Sequence, residues 1–251
     1  MPLALQAGLW GAVSGSALVL GALLAWFAPI PQRVTAGVMA FGAGVLISAL
    51  SFELMDHAFR VGGFDSTSFG FLSGAAIYTA ANIYISRRGA HHRKRSGQNA
   101  DASPAGPDAG LAIAVGALLD GIPESIVIGV SMIAGGTVSW VAVTAIFLSN
   151  VPEGLSSSAG MKKAGHSAAY VFGLWTGIAL ISGLSSLVGY TVFSGFSQEV
   201  IAATEAVAAG AILAMIADTM MPEAFEVARD YAGLITVCGF LASFVLSKLG
   251  G

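Results

Sequence analysis

Two acidic hexapeptides interrupt long apolar runs, Asp120-Gly-Ile-Pro-Glu124-Ser and Ser149-Asn-Val-Pro-Glu153-Gly. Both read polar, small or polar, apolar, Pro, Glu, small. An ionisable group at membrane depth costs roughly 2.5–3.5 kcal/mol or more, so it marks an ion or substrate path. Two matched copies point to one site built by two neighbouring helices. Asp120 and Glu124 are one helical turn apart and share a face, as do Asn150 and Glu153. Pro123 and Pro152 lack an N–H, so the carbonyls of Leu119 and Leu148 lose their usual helical donor and become further oxygen ligands. The resulting site is oxygen-rich and anionic. Carboxylate and carbonyl oxygens suit hard or borderline divalent cations, zinc included, and repel anionic substrates.

Such a site needs long apolar helices to hold it. The 251 residues are 55% hydrophobic and only 10% charged, against about 25% charged in soluble domains. The mean hydropathy of +0.79 and the 33 glycines fit a polytopic helical membrane protein. Spans of about 20 apolar residues are predicted at 5–27, 34–55, 69–85, 110–134, 138–161, 168–193, 200–221 and 232–246. That is an all-α fold of eight transmembrane helices in a single transmembrane domain over 1–251. The first run lacks a basic flank and a clear cleavage site, so it reads as a retained helix. A polar, basic stretch at 87–108 reads as a loop between the third and fourth helices. With the N-terminus outside, nine of the eleven Lys and Arg fall on inside segments. That asymmetry puts the loop in the cytoplasm and both termini outside. One short basic loop without interleaved aromatics argues against nucleic acid as a partner. Cys238 is the sole cysteine, which excludes an intrachain disulfide and a thiolate cluster.

The Pro-Glu pair in the fourth and fifth spans, the eight-span plan and the His-bearing loop resemble the ZIP (Zrt/Irt-like) metal transporters. The glutamates of the two motifs are 29 residues apart. Asp218-Thr-Met-Met-Pro222-Glu223 resembles the Pro-Glu segment of that family's seventh span, and Ala40-Phe-Gly-Ala-Gly-Val-Leu-Ile-Ser48 resembles its second. The resemblance implies two helix bundles, with the fourth and fifth helices holding metal at mid-membrane. It implies movement of zinc, or of cadmium, iron or manganese, into the cytoplasm. Glu124 and Glu153 carry over directly. Asp120 stands where a histidine ligand is common and Gly121 where an asparagine is. Ser149 and Asn150 replace the usual His or Gln and Asp. An acidic sixth-span ligand would fall near Ser182. The likeness therefore supports one metal site of Asp120, Glu124, Asn150 and Glu153. For Asn150, a bond to a neighbouring helix is the competing role.

Other polar residues flank that site. Ser149 and Ser182 are pathway candidates. Asp218 either lines the exit path or marks the water interface. Glu53, with Asp56 and His57, either draws cations to an entrance or ends a wet helix. Glu223 and Glu226 are expected in water. His91 and His92 in the loop can capture metal transiently, against the repulsion of five neighbouring cations. The cation is substrate, and no organic cofactor is expected. Expected partners are divalent metal ions, the lipid bilayer and a second copy of the chain in a homodimer. The plasma (inner) membrane is the expected location. No enzyme activity is expected, because no HExxH occurs and none of the four histidines falls within a predicted span. An intramembrane enzyme and a non-transporting metal sensor are the alternatives.

Overall fold

The computed structural model describes residues 1–85 and 107–250. His91 and His92 lie outside the described residues. Among the described residues the chain is helical, without strands. The helices are α1 (Leu3–Phe27), α2 (Gln32–Ala49), α3 (Asp56–Ile85), α4 (Pro107–Gly135), α5 (Trp140–Lys163), α6 (Ala168–Phe193), α7 (Gln198–Met215), α8 (Met221–Ala228) and α9 (Ala232–Gly250). Wide π-helical turns, Leu50–Met55 and Ile216–Met220, join α2 to α3 and α7 to α8. Ser139 and Ser167 cap α5 and α6, each accepting a backbone N–H from three residues on, which satisfies an orphan donor of the first turn. Gly136, at φ 66°, makes the tight joint between α4 and α5.

Five stretches are long and apolar enough to cross a membrane: Leu3–Phe27, Gln32–Ile85, Ala114–Ile133, Ala168–Phe193 and Gln198–Leu249. Two of them run to 54 and 52 residues. A straight helix of that length would reach about 80 Å, far beyond a hydrocarbon core of about 30 Å. Both are broken. Gly63 leaves helical geometry at φ 70°, ψ 179°. Arg229, at φ 43°, opens a 3-10 turn over Arg229–Tyr231. The third predicted span, 69–85, is the second half of a helix that begins at Asp56. The eight separate spans expected from the sequence are therefore not what length and hydropathy return. The fifth, α5, is missing from the apolar stretches because Ser149, Asn150, Glu153 and Ser156–Ser158 lower its hydropathy. Those same side chains are buried against other helices.

Packing sorts the helices into a group and two pairs. In the group, α1 packs on α5 and α6, and α4 packs on α6. The pairs are α3 with α7 and α2 with α9, linked through the wide turns. Each of these five interfaces is closed by glycines on both sides. Gly21 meets the Val151 carbonyl and Gly154 meets Leu18. Gly129 meets Ser186, and Gly189 meets Ile126. Gly11 meets Ser186, and Gly183 meets Ala12. Gly74 meets Val207, and Gly210 meets Phe71. Gly44 meets the Thr236 carbonyl, and Gly239 meets Phe41. A missing Cβ lets two helix backbones touch, the contact that apolar solvent cannot supply.

The contacts also fix direction. Trp10 meets Trp140 edge to face in the N-terminal halves of α1 and α5, and Lys162 donates to the Trp26 carbonyl at their ends. Those helices run parallel. Gly8 faces Leu187 and Gly15 faces Ala179, so α1 and α6 run antiparallel.

Candidate functional site

Glu124 lies 11 residues before the end of α4, and Glu153 lies 13 after the start of α5. At about 1.5 Å per residue, both sit roughly 16–20 Å from the joint that connects these helices. That is near the middle of a bilayer core. Asp120, Glu124 and Glu153 are 3%, 2% and 9% exposed. Ser149, Asn150 and Ser182 are buried as well. Both prolines sit inside continuous helices. Every residue expected at the mid-membrane site is thus withdrawn from the surface.

The helices bring these residues together less directly than the tight joint suggested. Contact between α4 and α5 is slight, and α1 packs on both. Among the described residues, no three His, Cys, Asp or Glu converge as a metal-holding group. Two of the expected ligands are turned to other partners. The Tyr78 hydroxyl donates to Asp120 Oδ1 at 2.8 Å, entirely buried. The Asn150 amide nitrogen donates to the Ser14 carbonyl at 3.2 Å, tying α5 to α1. The helix-bonding role weighed for Asn150 is therefore observed, and its amide oxygen remains the atom able to accept or ligate. Ser149 returns its hydroxyl to the Ile146 carbonyl of its own helix. Its Cα would sit 3.2 Å from a Cβ on Gly42, where α2 meets α5. Ser182 lies beside α4, its Oγ 3.8 Å from the Cβ position of Gly121.

The flanking acids occupy the two ends of the molecule. Glu53 sits in the first wide turn and accepts from Ser247 at 2.6 Å and Ser139 at 3.3 Å. It lines a cavity of about 700 Å³ with Thr137, Ser139, Trp140, Thr144 and Ser247. Asp218 sits in the second wide turn, exposed, with Asn82 donating to it at 3.5 Å. Glu223 corrects an expectation. It was placed in water, yet it is partly buried and accepts from Ser156 at 2.5 Å.

A further pair escaped the sequence reading. His57 Nδ1 lies 2.5 Å from Glu205 Oε2, joining α3 to α7. His57 belongs to the first turn of α3, at the joint between the expected second and third spans. Glu205 is buried. It stands alone in Ala202-Ala-Thr-Glu205-Ala-Val-Ala-Ala, without a second copy to draw notice. The signal able to find it is the cost of any acid in an apolar run.

Compared with known proteins, the chain matches no family model and no curated protein.

Proposed function

We propose that this protein is a divalent-cation transporter of the ZIP type, passing zinc or a similar ion through the carboxylates of α4 and α5. The observation that carries the reading is the burial of Asp120 and Glu124, one turn apart in an apolar helix, with Glu153 at matching depth in α5. Buried acids at mid-membrane are retained for what they bind. Asp120, Glu124 and Glu153 are the ligands, with the Asn150 oxygen beside them.

The architecture fits this role. Each of the two long apolar stretches supplies two crossings, the other three supply one each, and α5 is the eighth. The parallel α1–α5 and antiparallel α1–α6 contacts agree with helices that alternate in direction. Arg33, Lys162, Lys163 and Arg229 then share the cytoplasmic end with the basic loop. Both termini lie at the opposite, outer end of a plasma-membrane protein. The 700 Å³ cavity at Glu53 opens the route there, and Asp218 stands at the far end. The four-helix group, rocking against the two helix pairs, gives alternating access around a fixed site. A homodimer is compatible with this plan. The chain is no enzyme in this reading, and the cation is its substrate.

Proteoliposomes loaded with a divalent-ion dye test it. Zinc, cadmium, manganese and iron(II) are offered to wild type, Glu124→Ala and Glu153→Ala. Saturable flux in wild type, reduced at least a hundredfold in both variants, is the expected result. Flux that survives both substitutions moves the site elsewhere. Metal binding without flux in folded, inserted protein favours the sensor alternative.

A further inference from the structure

Among the described residues, three of the hydrogen bonds between the four-helix group and the helix pairs with their connecting turns join a hydroxyl to a carboxylate. Tyr78 of α3 donates to Asp120 of α4 at 2.8 Å. Ser139, the cap of α5, donates to Glu53. Ser156 of α5 donates to Glu223 of α8. The Tyr78 bond is the one within the candidate cation site. Tyr78 is 2% exposed, and α3 touches α4 only slightly, since its main partner is α7. A buried bond therefore carries weight in that contact.

An ionised carboxylate offers only acceptor lone pairs. A phenol and a divalent cation compete for them, and the cation is the stronger partner in a water-poor site. Asp120 held by Tyr78 also belongs to no three-carboxylate group among the described residues. We propose that Tyr78 is a positioning residue that latches Asp120, and with it the α3–α7 pair, to the four-helix group, and that a divalent cation captured by Asp120 opens this latch. Cation capture and helix movement are then one event. The proposal rests on the reading of Asp120, Glu124 and Glu153 as a cation site. Ser139–Glu53 and Ser156–Glu223 are latches of the same chemistry nearer the two ends.

The test measures the distance between α3 and α6 while zinc chloride is titrated in. Spin labels are placed on Ile83→Cys and Ala169→Cys, both exposed, in a full-length Cys238→Ser chain in nanodiscs. Wild type is expected to change its distance distribution on zinc. Tyr78→Phe keeps the ring and removes the hydroxyl. It is expected to respond at about tenfold lower zinc, the worth of one hydrogen bond to a charged group, or to be shifted before zinc is added. Asp120→Asn keeps an acceptor for Tyr78 but loses the anion, and is expected to stay unshifted. A wild-type zinc midpoint in Tyr78→Phe overturns the latch and leaves the transport reading standing. If Tyr78→Phe fails to fold, Asp120→Asn decides alone: a zinc response like that of wild type overturns the proposal. No zinc response in wild type, together with no flux, overturns latch and transport reading alike.

Discussion

Gly42 and Gly44 are two residues apart on α2 and meet the backbones of different helices at different closeness. Gly44 presses on the Thr236 carbonyl and the Phe240 N–H of α9, and Gly239 returns the contact at Phe41. A Cβ on Gly42 would lie 3.2 Å from the Cα of Ser149 and 3.4 Å from the Leu148 carbonyl, a looser backbone approach in which α5 presents serine instead of glycine. The first interface joins backbone to backbone. The second belongs to a seam that also holds apolar side chains, with Leu46, Leu50, Val127, Ile146 and Ile212 lining one small void from both sides. Hydroxyl–carboxylate bonds cross that seam. Backbone contact has one good geometry, whereas side chains have rotamers and repack. The difference separates an interface closed by backbone from one filled partly by side chains.

Substitutions can break this contrast. Gly44→Ala places a methyl group against fixed backbone and is expected to cost about 3 kcal/mol, while Gly42→Ala, with more room, is expected to cost about 1 kcal/mol. Denaturant unfolding in detergent, followed by helicity, compares them. Equal losses would erase the distinction between the two interfaces. A smaller effect comes from within the α3–α7 pair. His57→Ala leaves the buried Glu205 without its imidazole and is expected to cost about 1–2 kcal/mol in the same assay, discounted because the ring is one-third exposed. The smallest effect separates two serines. Ser186→Ala removes a bond to the Ala7 carbonyl inside the four-helix group and should cost about 0.6 kcal/mol of stability without altering transport. Ser156→Ala removes a bond across the seam. It should leave stability nearly unchanged and shift the zinc dependence of flux instead. A stability loss with unchanged flux in Ser156→Ala would argue that the seam is as static as the rest.

How much of this was legible follows from where the information lies. α6 begins and ends where hydropathy put it, because its exposed face is mostly apolar, with Leu180, Leu184, Val188 and Val192 outward. The burial of Asp120, Glu124 and Glu153 was legible too, since a carboxylate in an apolar run leaves few other places for it. Their partners were not. Tyr78 reaches Asp120 across 42 residues of chain, His57 reaches Glu205 across 148, and Ser156 reaches Glu223 across 67. No local spacing encodes such contacts. α5 taught the opposite lesson to α6. Its polar side chains lower its hydropathy because other helices, not lipid, surround it. The glycines were legible as a composition, but their arrangement in facing pairs emerges only when the helices are packed.

The wide turns at Leu50–Met55 and Ile216–Met220 carry a consequence for the spacing of the chain. A π turn holds one residue more than an α-helical turn, because its hydrogen bonds reach from i to i+5. Each such turn here carries an acid, Glu53 or Asp218. Deleting one residue from Ile216–Met220 would restore regular winding. The segment up to Ala228 would keep its facing, because the wide turn already takes up the extra residue, and Glu223 would stay directed at Ser156. The bulge around Asp218, and not the aim of Glu223, is what such a deletion would remove.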